Sequence, residues 1–511
     1  MDLSRWIDRH AVFTPDKPAI VSAAGTLSYA DMAGRVAAVA RLLKSAYGVD
    51  RGDRVAHLGY NSADMLVVLF ACARLGAMFV PMNWRLAPPE HAFILSDAAV
   101  KVLVADTAFN ETIAEVTAGR AGIRAIGLDG ALGNADALDD LLATPDVRSG
   151  DDCNPHVDLS CPFLIVYTSG TTGQPKGAVL TQRALFWNAV QSTHMHDLTG
   201  RDRILTVLPM FHVGGLNIQT LPGLHAGATV LLHDRFDPGR TLAAIAADRP
   251  TLTVLVPATL EAVLRHPAFP DTDLSSLRLV TTGSSMVPQD LIDAYADRGV
   301  TMIQVYGSTE TAPIAIYQQE SGAPFKPGST GRQGLHCDAM VVGSDGRPVP
   351  DGSDGEILVR GPQVMFEYWG NSAATTEALR DGWFHTGDIG YRDADGDYFI
   401  HDRKKNMIIS GGENIYPAEV ERVLRGCPGV ADVAVVGRPD PKWGETPVAV
   451  ILAEDGGEPD PDAVLGWLHG RIARFKHPRE VMFVRELPRN AMGKVQHHRV
   501  RDMIDARDRS C

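Results

Sequence analysis

Along this chain, stretches with apolar residues every three or four positions alternate with short apolar runs, the pattern of helices covering a parallel sheet. Tyr29 to Ala46 and Ser62 to Leu75 read as helices, and Arg54 to Leu58 and Val100 to Val104 as strands. The longest apolar run, Met65 to Met82, contains Arg74 and Gly76 and meets Pro81, so it reads as a buried helix followed by a strand rather than a membrane span. Asp129 to Asp158 is Asp-rich and poorly periodic, and reads as a solvated excursion. Beyond it the apolar run Phe163 to Tyr167 predicts a buried strand, and Thr181 caps a helix running through Trp187. Ile204 to Leu208, Leu277 to Thr282 and Thr301 to Tyr306 read as further strands.

From Gly328 to Ile400 the texture changes to short strands split by Asp-Gly turns, which predicts a small β-rich subdomain. After a polar stretch at Asp402 to Lys405, strands at Met407 to Ile409, Val433 to Val436 and Val481 to Val484 are interleaved with helices from Pro417 and from Asp462 to Arg474. The fold class is α/β: a large N-terminal domain, residues 1–402, of two doubly wound subdomains plus the β-rich one, joined to a small α+β C-terminal domain, residues 403–511.

Composition narrows the classes of function. Net charge is -14, from 48 basic and 62 acidic residues, so no general attraction to nucleic acid or anionic membrane is expected, and anionic ligands must be held locally. The six cysteines form no CxxC pair, and free thiols in a reducing compartment are expected. MDLSRWIDRH has no apolar signal core, and the final RSC is neither a peroxisomal nor a prenylation signal, so a cytoplasmic enzyme without an integral membrane segment is expected. Oligomeric state is not legible, and a homodimer stays open.

Candidate chemistry begins where the Phe163 strand breaks into Thr168, Ser169, Gly170, Thr171, Thr172, Gly173, Gln174, Pro175 and Lys176. Glycines let a backbone approach a polyanion, hydroxyls and N–H groups donate to it, and Lys176 adds positive charge, a combination suited to ATP phosphates. The P-loop pattern GxxxxGK[ST] starting at Gly170 would need glycine where Pro175 stands, which argues against a Walker-type ATPase. By composition alone the same loop also fits a solvated turn.

YTSGTTGQPKG resembles the signature of the adenylate-forming enzymes: acyl-CoA synthetases, adenylation domains and firefly luciferase. FHVGG (211–215), YGSTE (306–310), GWFHTGD (382–388), DRKKNMIISGGENIYP (402–417) and PRNAMGK (488–494) resemble further signatures in family order. The resemblance implies ATP and Mg²⁺ as requirements and coenzyme A as co-substrate. It implies that Thr168, Ser169, Gly170, Thr171, Thr172, Gly173 and Lys176 hold phosphates and that Gly283, Ser284, Ser285, Tyr306, Gly307 and Ser308 line the nucleotide. It further implies that Thr309 bonds the α-phosphate, that Glu310 binds magnesium, and that Asp388 and Arg403 hold the ribose. Lys494 would bridge carboxylate and α-phosphate. His212 would lie beside the acyl carboxylate, with Val213, Gly214, Gly215, Val256, Thr311, Ala312 and Pro313 as acyl-pocket candidates. Lys405 takes the hinge position, and Ser410, Gly411, Gly412, Trp443, Phe475, Lys476 and Arg479 match CoA-contacting positions, with His477 where relatives carry arginine.

His212 stands where amino-acid-activating relatives tend to carry aspartate, which points to a plain carboxylic acid. The pocket candidates carry no cation, so fatty and aryl or phenylpropenoic acids both stay open. The expected protein is an ATP-dependent acid:CoA ligase whose partners are a small carboxylic acid, ATP and CoA. One alternative loads a carrier protein or amine instead of CoA; a more distant one binds nucleotide without catalysis.

Overall fold

The computed structural model describes residues 1–118, 122–133, 135–144, 151–168, 175–284, 287–320, 326–403, 406–410, 413–441, 443–454, 457–469, 471–472, 474–490 and 493–508, without the side chains of 402, 403, 413, 414 and 508. Two large sheets form the N-terminal body. One has seven strands in the order Glu367–Tyr368, Lys176–Thr181, Pro162–Thr168, Met78–Met82, Arg54–Leu58, Val102–Ala105, Arg124–Gly127. Its interior pairs are parallel, and Pro162–Thr168 with Lys176–Thr181 forms an antiparallel hairpin at one side. The other sheet has nine strands, parallel from Met302–Tyr306 through Leu279–Gly283, Leu252–Val254, Arg203–Thr206 and Thr229–Leu232 to Pro18–Ser22, with antiparallel strands at both edges.

Local chemistry explains where these elements begin. Ser62 accepts the Met65 N–H and Thr181 that of Ala184, capping the helices Ala63–Leu75 and Gln182–His196. Every residue from Met65 to Leu75 is buried because this helix lies inside the largest apolar cluster, with Tyr29–Ser45 against it. The helix and strand expected within Met65 to Met82 are Ala63–Leu75 and Met78–Met82, separated by Gly76 in the left-handed region.

The β-rich subdomain is an antiparallel sheet of Asp338–Val342, Gly355–Arg360, Trp383–Arg392, Leu379–Arg380 and Tyr398–Arg403. A fourth sheet, Glu413–Ile415, Ile408–Ser410, Gly444–Ala453, Val430–Asp440 and Glu480–Val484, packs on helix Pro417–Leu424 and carries the C-terminal core. The C-terminal helix expected from Asp462 to Arg474 is shorter, Pro461–Trp467, with a separate 3-10 turn at Arg474–Lys476. Gly466 near its end weakens propagation, and Arg471 then caps back onto the Trp467 carbonyl at 2.6 Å. The expected Val100 to Val104 strand is displaced to Val102–Ala105, because Lys101 N–H pairs with the Arg54 carbonyl only at the strand's entry. Among the described residues no helix is long and apolar enough to cross a membrane, and the cysteines there are free.

Four imidazoles, His57 and His196 fully buried and His212 and His225 half-buried, tie this fold to neutral pH. Burial holds His57 down to about 3 and His196, His212 and His225 down to about 4, from an ordinary 6.5. His57 has neither ring nitrogen hydrogen-bonded, so a proton there would be an unpaired buried charge. The folded state thus binds fewer protons than the unfolded chain below 6.5, and stability present above that pH is lost as pH falls through it. Urea midpoints should be flat between pH 7 and 8 and drop steeply toward pH 5, each such histidine contributing about 1.4 kcal/mol per pH unit. His57→Leu should flatten the slope by one histidine's share; an unchanged slope would remove His57 from the set.

Candidate active site

Gly283 and Tyr306 to Glu310 stand at the carboxyl ends of two parallel strands, where open α/β sheets bind ligands. Met302–Tyr306 runs into Gly307 and Ser308, then the 3-10 turn Thr309–Thr311. The Thr311 hydroxyl accepts the Ser308 N–H at 2.9 Å and donates to the Ser308 carbonyl at 3.1 Å, so the turn folds onto itself. A Cβ on Gly307 would fall on the Pro313 carbonyl oxygen, and one on Gly283 would press on that of Val305. Both backbone approaches therefore need glycine. Ser284 and Ala312 sit at φ 72° and 69°, two non-glycine left-handed residues flanking the turn.

Tyr306 donates its hydroxyl to Asp388 Oδ2 at 2.6 Å, joining the adenine-side and ribose-side candidates. Asp388 is buried, its N–H held by Thr386 Oγ1, and its backbone faces Arg403 across the sheet. Glu310 is half-buried, and its Oε1 accepts the Tyr368 hydroxyl at 2.7 Å. Lys176 opens the second hairpin strand, opposite Thr168, with its Nζ 5.3 Å from the centre of the Tyr368 ring. Thr309 is buried beside them.

His212 caps the short helix Val213–Asn217, its Nδ1 accepting the Gly214 N–H at 3.1 Å. Burial lowers its pKa to about 4 despite the nearby Glu310 charge, so the ring is neutral at pH 7. With Nδ1 accepting, the proton sits on Nε2. Val213, Gly214, Gly215, Val256, Thr311, Ala312 and Pro313 are all buried around this point.

In the C-terminal domain, Lys494 follows a turn that packs on the N-terminal domain. Its turn is closed by the Asn490 side chain, which accepts the Lys494 N–H at 2.9 Å, and a Cβ on Gly493 would come within 2.9 Å of Ala258, two residues after Val256. Arg479 lies 4.8 Å over the Trp443 ring, and half-exposed Phe475 adjoins Lys476, which is ion-paired with Glu419 at 2.7 Å. Ser410 pairs with Gly444 in that domain's sheet. Ser169, Gly170, Thr171, Thr172, Gly173, Ser285, Lys405, Gly411 and Gly412 lie outside the described residues, as does the Arg403 side chain.

Three features went unread in the sequence. Tyr368 reaches Glu310 only because a two-residue strand pairs with Ala178 and Val179. Tyr60, Trp84 and Phe109 cluster at the ends of three parallel strands, with Arg85 over Trp84 and Arg235 over Tyr60, offering ring faces and guanidinium charge to a ligand. Asn217 is fully buried with both amide atoms unpartnered, and Gln219 Oε1 is unpartnered beside it.

The Thr168–Lys176 end of the hairpin, the Tyr306–Asp388 pair and the Glu310 turn sit on the fold of an adenylate-forming enzyme. The AMP-binding enzyme family matches residues 7–369 and the AMP-binding enzyme C-terminal domain residues 419–494, and the chain belongs to this family. It is 51% identical over 506 residues to the indoleacetate–CoA ligase of Aromatoleum aromaticum, covering 99% of this chain and 98% of that protein. It is 44% identical over 499 residues to a feruloyl-CoA synthase of an Amycolatopsis species, covering 98% of each. The anthranilate CoA ligase AuaEII, solved with anthranoyl-AMP, superposes with TM-score 0.90 at 26% identity, over 98% of this chain and 97% of that one.

Proposed function

We propose that this ATP-dependent acid:CoA ligase acts on aryl or arylalkyl monocarboxylic acids, requires magnesium, and uses coenzyme A as its acceptor. The observation that carries the site reading is the 2.6 Å hydrogen bond that joins Tyr306, at the end of the strand leading into the Glu310 turn, to Asp388. The names of the 51% and 44% identical relatives, indoleacetate–CoA ligase and feruloyl-CoA synthase, support the aryl class. So do the buried, unpartnered Asn217 amide and Gln219 Oε1, which suit an acid carrying one hydrogen-bonding group on an apolar frame.

In the first half-reaction a carboxylate oxygen attacks the α-phosphorus of ATP, the bond to the bridging oxygen breaks, and pyrophosphate leaves. Thr168 and Lys176 hold phosphate oxygens, Tyr306 stacks on adenine, and Asp388 accepts from the ribose hydroxyls. Thr309 bonds the α-phosphate, and Glu310 would hold magnesium, which would supply charge neutralisation for the phosphates. Lys494 places an ammonium between carboxylate and α-phosphate, while His212 offers its Nε2–H without adding charge. In the second half, the C-terminal domain turns about Lys405, the CoA sulfur bonds to the acyl carbon, and AMP departs with the electron pair of the broken mixed-anhydride bond.

A pyrophosphate-release panel of indole-3-acetate, ferulate, phenylacetate, octanoate, palmitate, malonate and phenylalanine, each with and without CoA, tests this. The aryl monocarboxylates should exceed malonate and phenylalanine by about 100-fold in kcat/KM. Malonate or an amino acid at the head of the panel would sink the substrate reading, and acyl-AMP that accumulates unconsumed with CoA present would sink the acceptor reading.

A further inference from the structure

Glu310 and Lys176 carry opposite charges on the two sides of one ring. Tyr368 gives its hydroxyl to Glu310 Oε1 at 2.7 Å, and its face lies under Lys176 Nζ at 5.3 Å. Tyr368 itself is fixed, with its backbone paired to Ala178 and its N–H donating to Thr375 Oγ1 at 3.0 Å. No ion pair joins Lys176 to Glu310 among the described residues. With the ring gone, the flexible ammonium would be free to swing toward the half-buried carboxylate, and a direct pair would withdraw both the phosphate-holding cation and the metal-ligating oxygens.

We propose that Tyr368 is a positioning residue: it holds Glu310 through one oxygen, leaving the other for magnesium, and keeps Lys176 from closing onto that carboxylate. A partner hydrogen-bonded to a metal-ligating carboxylate fixes its direction and tunes its basicity. The inference rests on the reading of Glu310 as a magnesium ligand, and its test separates the two.

Binding of α,β-methylene-ATP, which needs no knowledge of the acid, is measured by calorimetry on the full chain across a magnesium titration and again in EDTA. Tyr368→Phe keeps the ring and loses the hydroxyl, and should move the magnesium midpoint upward by about tenfold. Tyr368→Leu removes the ring as well and should move it further. Tyr368→Phe should leave nucleotide binding in EDTA unchanged, whereas Tyr368→Leu, which frees Lys176 to close onto Glu310, should weaken it; the unliganded melting temperature of Tyr368→Phe should stay within about 2 °C of the parent. Glu310→Gln is run alongside. If Glu310→Gln shifts the midpoint and Tyr368→Phe does not, the role of Tyr368 is overturned and that of Glu310 stands. If Glu310→Gln leaves the midpoint in place, the metal reading fails and the inference goes with it. Loss of nucleotide binding in EDTA by Tyr368→Phe, or a much lower melting temperature, would make the contact structural and overturn the proposal.

Discussion

Lys494→Ala should lower acyl-adenylate formation from acid and ATP by roughly 10²–10³, while converting supplied acyl-adenylate to thioester at close to the parent rate. The first number follows from the charge that develops as the carboxylate meets the α-phosphate, which an ammonium in a desolvated site stabilises by several kcal/mol. The asymmetry follows from position. Gly493, at φ 75°, packs against Ala258, where a Cβ would come within 2.9 Å, so this arrangement seats the Lys494 turn on the N-terminal domain, as the proposed half-reaction that needs the lysine would require. Trp443 and Arg479, matched to CoA contacts, sit elsewhere on the same domain, and the proposed rotation about Lys405 exchanges one surface for the other. Gly411→Leu should show the opposite pattern, making acyl-adenylate and transferring it poorly. Single-turnover assays of each half with each variant decide the matter: equal impairment of both halves in both variants would leave rotation unsupported.

Gly307→Ala is expected to cost about 10² in adenylation although residue 307 contributes no side chain to the chemistry. A methyl there would occupy the space of the Pro313 carbonyl oxygen and press on Thr311 Oγ1 at 2.8 Å. The hydroxyl of Thr311 is the clasp that closes Ser308 onto the turn, so relief of the overlap has to open the segment holding Thr309 and Glu310. Overpacking of this kind costs about 1–3 kcal/mol of stability, and a displacement of order 1 Å at reacting groups costs far more in rate than in folding. Thermal melts beside pyrophosphate-release assays should therefore show a modest loss of stability with a large loss of rate. Near-parental rates would falsify the view that the turn is rigid.

The strand ending at Tyr306 and the turn after it were legible because their parts are local in sequence: a strand, a glycine, and a hydroxyl or carboxylate within four residues. The helices Tyr29–Ser45 and Ala63–Leu75 were legible for a similar reason, since capping serines and apolar periodicity act within one segment. Tyr368 was not, because 58 residues separate it from Glu310 and the strand that places it has only two residues and no pattern. The Tyr60, Trp84 and Phe109 cluster was missed because its members follow three different strands, and only the parallel order of those strands gathers them. The overlong expectation for the helix after Pro461 came from reading periodicity through Gly466.

The hairpin that carries Thr168 and Lys176 determines what kind of positive charge the phosphates meet. Its ladder closes with Thr168 opposite Lys176, so a strand follows the loop, and the next described helix begins only at Gln182. A nucleotide loop that opens directly into a helix places a fixed partial charge of about half a proton under the phosphates, and that charge stays when the product is ready to go. Here the cationic character resides in the Lys176 ammonium, a full charge on a stem of rotatable bonds. A charge of that kind can follow a departing phosphate group, whereas the partial charge at a helix end stays where the backbone holds it.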